Sequence, residues 1–141
     1  MADTFQLQVA TPERLLVDEQ VTLAELPGED GYMGVLADHA PLLSALGPGV
    51  LSYEGGGGPH MLVVDGGFLE VFDNHVRVLA DHAELPETIS RDRAQRDLEE
   101  ANEALKHAGN EQDARAALAA AKRAQARIDA AEKRTPGKAV D

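Results

Sequence analysis

The sequence contains no cysteine and no tryptophan, and it has only three phenylalanines and two tyrosines. Without cysteine, neither a disulfide framework nor thiolate chemistry is available. Residues 1–5 lack both the basic residues and the apolar run of a secretory signal. No window approaches the run of about 18 apolar residues that a membrane-spanning helix needs. We therefore expect no direct membrane insertion, and any membrane association should run through other proteins.

Basic residues are scarce in the first part of the chain. Residues 1–87 hold two basic and fifteen acidic side chains, whereas residues 88–134 hold ten basic and nine acidic ones. The first part would be repelled by nucleic acid and by anionic lipid, because both are negatively charged. We therefore expect no nucleic-acid partner. The second part could dock on an acidic surface, including that of the first part.

Short segments of strand character fill the first part of the chain. Phe5, Leu7 and Val9 alternate with polar neighbours, which is the pattern of a half-buried strand. Similar segments follow, with turn signals roughly every eight to twelve residues. This spacing is typical of an all-β sandwich or barrel. We predict a β-sandwich domain over residues 1–86.

Two glycine clusters interrupt these segments. Gly66 and Gly67 break an apolar strand between 61–64 and 68–72, and glycines at such a position predict a bulge or a close approach of the backbone. The second cluster, 55–58, predicts a flexible hairpin tip. A phosphate-cradling loop would need a following helix and a Lys-Ser/Thr pair, and the sequence has neither.

Beyond Pro86 the period of the apolar residues changes from two to about three and a half. We predict an antiparallel two-helix hairpin over residues 87–134 and a flexible tail over 135–141. Thr88 or Ser90 can cap the first helix. Gly109-Asn110, two residues that tolerate the left-handed conformation, is predicted to end it, and the second helix is predicted from about residue 113 to 134. The apolar stripe is mostly alanine, so the hairpin should be marginal alone and stable only when docked. The alternative is a permanently docked structural hairpin.

The stretch 28–49 combines several glycines with two prolines and two short apolar runs, Val35-Leu36 and Leu42-Leu43. It predicts a corner-turning connection between strands, held rigid by buried leucines. Its functional interpretation is a rigid surface loop for docking. The alternative is a packed corner that contacts no partner.

Three motifs, in this order, resemble the epsilon subunit of F-type ATP synthases. The first is GxxGVLxxHAPLLSALxPG, carried by Gly31, 34–36, 39–46, Pro48 and Gly49. The second is GGFLEV at 66–71, and the third is VRVLAD at 76–81; alanine-rich helical sequence follows. The resemblance covers nearly the whole chain. Tyr32 departs from it, because many family members carry glutamate at that position.

The resemblance implies an antiparallel sandwich of about ten strands in a non-catalytic subunit of the rotor. This subunit would bind the gamma subunit and the loops of the c subunits in the membrane ring, and would help couple proton flow to ATP synthesis. It would lie peripherally on the cytoplasmic face of the bacterial inner membrane. The residues expected to dock from the corner stretch are Gly31, Tyr32, Gly34, His39 and Pro41.

The resemblance also implies that the helical hairpin is regulatory. When extended, it would contact the catalytic alpha and beta subunits and block hydrolysis of ATP; when folded, it would permit turnover. Basic residues recur along the second helix at helical spacing. The expected docking residues among them are Arg115, Lys122, Arg123 and Arg127. The alternative is a solvated charged face.

Some epsilon subunits bind ATP in the folded hairpin, and this chain carries part of that motif. Matching residues are Glu84, Ile89, Arg93, Ala94, Arg123 and Arg127. Ser90 replaces the motif's acid, and Glu100 stands where strong binders carry arginine. At separations near 8 Å and an effective dielectric constant of about 20, each unit charge pair is worth roughly 2 kcal/mol. We therefore predict weak ATP binding, millimolar or absent, and no required cofactor.

A standalone β-sandwich metalloenzyme is the rival class. Five histidines occur, and His82 between Asp81 and Glu84 gives the best cluster of imidazole with carboxylates. The chain has no HxH and no HExxH pattern, and no serine-histidine-aspartate arrangement with a nucleophile elbow. We expect structural or solvated histidines, no catalysis by the chain itself and no metal site. Metal analysis of protein purified without chelators would separate the two classes.

Overall fold

The computed structural model describes residues 3–133. Eight strands come first, and a single turn of 3-10 helix at Pro86–Thr88 leads into two α-helices, α1 (Arg91–Lys106) and α2 (Glu111–Ala131). The strands are β1 Phe5–Ala10, β2 Leu15–Val21, β3 Leu23–Gly28, β4 Gly31–Leu36, β5 Leu42–Ala45, β6 Gly49–Gly55, β7 Gly58–Phe72 and β8 His75–Glu84. The predicted tail, residues 135–141, lies outside the described residues.

The strands form one hydrogen-bonded sheet in the order β2-β1-β8-β7-β6-β3-β4, with β5 paired to β7. The predicted β-sandwich is confirmed: the strands enclose one apolar core, whose largest buried members include Phe5, Leu7, Leu26, Leu51 and Leu69. Among the described strands, β1 and β8 pair in parallel and the other pairs are antiparallel. The first and last strands have no short connection between them, so nothing forces an antiparallel pairing.

Strand β7 helps explain why the described chain has eight strands rather than about ten. The apolar runs on either side of the glycine pair belong to one strand of 15 residues. Gly66 and Gly67 have φ of +72° and +104°, a region that L side chains rarely adopt. Val64 before the pair and Leu69 after it both pack into the core, although they are five positions apart and would point to opposite faces of a regular strand. The glycine pair therefore changes which residues of β7 face inward and does not end the strand.

The stretch 28–49 contains two strands, β4 and β5, and is more than a connection. The prediction that its leucines are buried is correct only in part. Val35 and Leu46 lie in the core, whereas Leu36 is 62% exposed and Leu43 is 72% exposed. Side chains alternate across a strand, so in each apolar pair only one member can point into the core.

The two helices form the predicted hairpin, and each has a side-chain cap at its start. The Ser90 hydroxyl accepts a hydrogen bond from the Arg93 N–H at 3.2 Å, as predicted for the first helix. Helix α1 ends at Lys106, shortly before the predicted Gly109-Asn110, and neither of these two residues has a positive φ. Asn110 instead begins α2, where its side-chain oxygen accepts from the Asp113 N–H at 2.8 Å. Neither described helix has the length and apolar character needed to cross a membrane.

Helix α2 packs on the outer side of β6 and β7. Val50 and Val63, which pair across these strands, form a small buried cluster with Ala126 and Ala130 of α2. Ile89 and Met61 pack at the edge of this cluster. Alanine lets the helix approach closely but buries little apolar area, so this contact alone contributes modestly to docking.

Candidate functional site

The sandwich has an outer face on which large apolar side chains are exposed. Phe68 of β7 pairs with Leu79 of β8, Leu79 pairs with Ala10 of β1, and Ala10 pairs with Leu15 of β2. Paired residues point to the same side of a sheet, so these side chains form one row. Phe68 is 60% exposed, Leu79 53% and Leu15 54%. We call this surface, together with the exposed Leu43 of β5, the apolar face.

Polar side chains occupy the next row of the same surface. Leu43 pairs with Glu70, Glu70 with Arg77, and Arg77 with Gln8. The Arg77 guanidinium lies 3.2 Å from the Glu70 carboxylate and 5.9 Å from the centre of the Phe72 ring. Apolar side chains beside such a polar border are typical of a protein-protein interface.

The apolar face was not among the docking surfaces predicted from the sequence. Phe68 and Leu79 lie in apolar runs that suggested buried strands, and their exposure follows from the inward direction of Leu69 and Val78. The signal was present, because a sheet with one solvated face normally alternates apolar and polar residues. An apolar residue at the outward positions of several adjacent strands indicates a surface that another molecule covers.

The predicted corner residues lie elsewhere in the sheet. Gly31, Tyr32 and Gly34 belong to β4, at the edge of the sheet, and His39 and Pro41 lie in the loop from β4 to β5. The structure therefore divides the predicted docking set between an edge strand and a loop.

Tyr32 connects the corner to the rest of the sandwich. Its hydroxyl oxygen accepts a hydrogen bond from the Val50 N–H of β6 at 2.9 Å. Burial raises the pKa of the Tyr32 phenol, and the charge of Asp129 on α2 adds to this effect. A Cβ at Gly49 would lie 2.5 Å from the hydroxyl oxygen, so this glycine leaves the room that the tyrosine ring needs. A cleft of about 390 Å³ separates Tyr32 from Lys122 and its neighbours on α2.

A larger cleft, of about 800 Å³, lies between the sandwich and the hairpin. Arg127 of α2 meets Glu84 of β8 through two parallel contacts, Nε to Oε2 at 2.9 Å and Nη2 to Oε1 at 3.2 Å. Its third nitrogen, Nη1, donates to the Asp97 carboxylate of α1 at 3.3 Å. Arg123 donates to the Asp65 carboxylate of β7. The pairs of Arg127 with Glu84 and of Arg123 with Asp65 join the hairpin to the sandwich.

The other predicted basic docking residues lie apart from this cleft. Arg115 pairs with Glu111 at 2.8 Å in the first turn of α2, and both side chains are about 80% exposed. Lys122 borders the smaller cleft near Tyr32. The four predicted residues therefore do not form one surface in the docked hairpin.

The predicted nucleotide residues are gathered only in part. Glu84, Arg123 and Arg127 line the larger cleft, where the two arginines already contact carboxylates of the same chain. Arg93 pairs with Asp97 at 3.3 Å, and Ile89 packs against the sandwich. Ala94 is fully buried.

Glu100 borders a smaller cleft together with Asp97 and both cleft arginines. It therefore adds a further negative charge to this neighbourhood.

The histidine and carboxylates that a metalloenzyme would use lie together in the structure. Asp81, His82 and Glu84 line the larger cleft. Within residues 3–133, however, no three histidine, aspartate or glutamate side chains come together in a way that could hold a metal ion.

These surfaces define a protein-docking module, built from a β-sandwich with an apolar face and an appended helical hairpin. Residues 4–86 match the family described as ATP synthase, Delta/Epsilon chain, beta-sandwich domain.

Relatives match over almost the whole chain. The ATP synthase epsilon chain of Solibacter usitatus is 50% identical over 134 residues, covering 95% of this chain and all of the relative. The epsilon chain of Nitratidesulfovibrio vulgaris is 42% identical over 128 residues, covering 91% and 96% of the two chains.

A solved structure agrees with these relatives. A chain in the mitochondrial ATP synthase of Euglena gracilis, solved as an assembly of OSCP, F1 and c-ring, superposes with a TM-score of 0.78 at 27% identity, covering 94% of this chain and 83% of that one. The chain therefore belongs to the ATP synthase delta/epsilon family, among its epsilon chains. It is a non-catalytic subunit of this membrane-associated complex.

Proposed function

We propose that the chain forms the foot of the ATP synthase rotor and binds the gamma subunit through the apolar face. The row of exposed residues across β2, β1, β8 and β7 carries this proposal, because a subunit that stays attached to a rotor needs a desolvated interface. Burying Leu15, Phe68 and Leu79 against a partner would stabilise the complex by a few kcal/mol, at roughly 25 cal/mol per Å² of apolar surface.

The corner of the sandwich is the proposed contact for the loops of the c subunits. The turn between β3 and β4 exposes Glu29 and Asp30, and Gly31 beside them has a φ of +137°. Tyr32 fixes the backbone of this corner by its bond to Val50. A rigid acidic turn suits polar loops that carry positive charge. Through these two contacts the subunit would help couple proton flow to ATP synthesis.

The hairpin is the proposed regulatory element. Extended, it would contact the catalytic alpha and beta subunits and restrain hydrolysis of ATP; docked as in this structure, it would permit turnover. The small apolar contact between α2 and the sandwich supports this proposal, because a movable element must be held weakly. The subunit would lie on the cytoplasmic face of a bacterial inner membrane, in keeping with its bacterial relatives.

Binding to the gamma subunit tests the proposal. Phe68→Glu with Leu79→Glu places two charges in the apolar face at positions that are exposed in the free chain, so the chain itself should still fold. We expect loss of co-purification with the gamma subunit. Leu118→Glu is the matched control, because Leu118 is 45% exposed but lies on the hairpin. Binding that survives the paired change in the apolar face would refute this interface.

A further inference from the structure

The hairpin contacts the sandwich through charges as well as through the alanine cluster. Arg127 is 20% exposed, and all three of its guanidinium nitrogens donate to carboxylates, two to Glu84 and one to Asp97. Asp65, the partner of Arg123, is 17% exposed. Paired contacts between a guanidinium and a carboxylate are among the stronger hydrogen bonds in proteins, and partial burial limits their screening by salt.

We propose that Asp65 and Glu84 of the sandwich form an ionic latch that holds the hairpin down and competes with an acidic partner for Arg123 and Arg127. This inference rests on the proposed function, in which the released hairpin contacts the catalytic subunits, and the two arginines would favour an acidic surface there. The contacts with Glu84 and Asp97 use three of the five N–H groups of Arg127, so an external carboxylate can form a two-point contact through Nε and Nη2 only after Glu84 has released them. Asp65 and Glu84 therefore compete with an external partner for the same two side chains.

The groups that meet at the latch come from four elements, one of which is β7 with Asp65. Glu84 ends β8, Asp97 lies in the middle of α1, and Arg127 lies in the second half of α2. Release of the hairpin from the sandwich therefore breaks the paired contacts between Arg127 and Glu84, while the contact with Asp97 stays inside the hairpin. Asp97 keeps the guanidinium neutralised in a freed hairpin until a stronger acceptor, such as a cluster of carboxylates, displaces it. The latch thus favours partners with several acidic groups over those with one.

The test uses the full chain, whose lack of cysteine makes introduced cysteines unique. Dyes on Glu29→Cys and Gln112→Cys report the distance between the sandwich corner and the start of α2 by energy transfer. Asp65→Asn with Glu84→Gln should lower the ratio of docked to released hairpin about tenfold, since two ion pairs of partly buried carboxylates are lost. Arg127→Lys keeps the charge but loses the two-point contact, and should give an intermediate loss.

A matched control removes the same two charges without touching the latch. Glu103 pairs with Lys106 and His107 inside α1, and Glu111 pairs with Arg115 inside α2. Glu103→Gln with Glu111→Gln should leave the docked ratio within about twofold of the original chain. An unchanged ratio in the latch variant, or an equal loss in this control, would overturn the latch.

Hydrolysis by the reconstituted complex separates the latch from the proposed function. The latch variant should restrain hydrolysis more strongly than the original chain. Arg123→Glu with Arg127→Glu should also release the hairpin, but the released hairpin should not restrain hydrolysis. If docking falls but hydrolysis changes in neither variant, the ionic latch is supported. The competition between the latch and the catalytic subunits, and the inhibitory role of the hairpin, would then be refuted.

Discussion

Replacing Gly67 by alanine should destabilise the sandwich far more than replacing Gly57. The two glycines have nearly the same φ, +104° and +103°, in a region that L side chains rarely adopt. The conformational strain of an added Cβ is therefore similar at both positions, about 1–2 kcal/mol. The difference lies in the neighbours. A Cβ at Gly67 would lie 2.0 Å from the carbonyl oxygen of Leu79, whereas at Gly57 it would meet no atom within 4 Å.

The collision at Gly67 involves backbone, which cannot rotate away like a side chain. Leu79 lies between Val78 and Ala80, which are 0% and 2% exposed in the core, so moving β8 disturbs packed residues. Overpacking of this kind costs about 1–3 kcal/mol more. Gly66 is an intermediate case, because its Cβ would meet the Asp81 carboxylate, the mobile end of a side chain, at 2.5 Å.

Urea denaturation followed by circular dichroism measures this series. We expect the loss of unfolding free energy to rise from Gly57→Ala to Gly66→Ala to Gly67→Ala, with about 1–3 kcal/mol between the first and the last. Equal losses for Gly57→Ala and Gly67→Ala would show that backbone strain alone explains the glycine pair, and would refute the close approach of β7 to β8.

Three further predictions concern the domain division, alkaline stability and nucleotide binding. Residues 1–86 should fold alone with a cooperative thermal transition, because the sandwich core lies within them; a non-cooperative melt would contradict the division at Pro86. Burial and a contact with Glu19 raise the pKa of Tyr53 to about 12 from 10.0. The folded state then holds the phenol proton more tightly than the unfolded state, so its stabilisation is complete below about pH 10 and is lost as the pH rises towards 12. Tyr53→Phe should remove this part of the alkaline loss in urea titrations, and an unchanged pH profile would disprove the assignment. Calorimetry should find millimolar or absent ATP binding, tightened by Glu100→Arg with Ser90→Asp; micromolar binding by the original chain would contradict it.

The sequence predicted the features that depend on local patterns. The alternation of apolar and polar residues predicted β1, and the change in the spacing of apolar residues beyond Pro86 predicted the hairpin. Ser90 was identified as a cap because its side-chain oxygen can reach only a nearby N–H. Each of these signals lies within a few residues of the structure that it specifies.

Features that depend on distant neighbours were missed or misinterpreted. The pairing of Arg127 with Glu84 joins residues 43 positions apart, and no local pattern encodes it. The pattern at Gly67 predicted a bulge or a close approach of the backbone, but it did not identify Leu79 of β8 as the neighbour. The exposure of Phe68 likewise depends on which face of β7 packs into the core. Asn110 can serve two helix ends, and only the hairpin geometry shows that it caps α2.

Restoration of coupling in an ATP synthase stripped of its epsilon subunit tests the central claim most directly. The full chain is added to the depleted complex in vesicles, and ATP synthesis driven by an imposed proton gradient is measured. We predict that the chain restores synthesis and that the variant with Phe68→Glu and Leu79→Glu does not. A chain that binds the depleted complex without restoring synthesis would contradict the proposed role, and restoration by the variant would contradict the apolar face as its means of attachment.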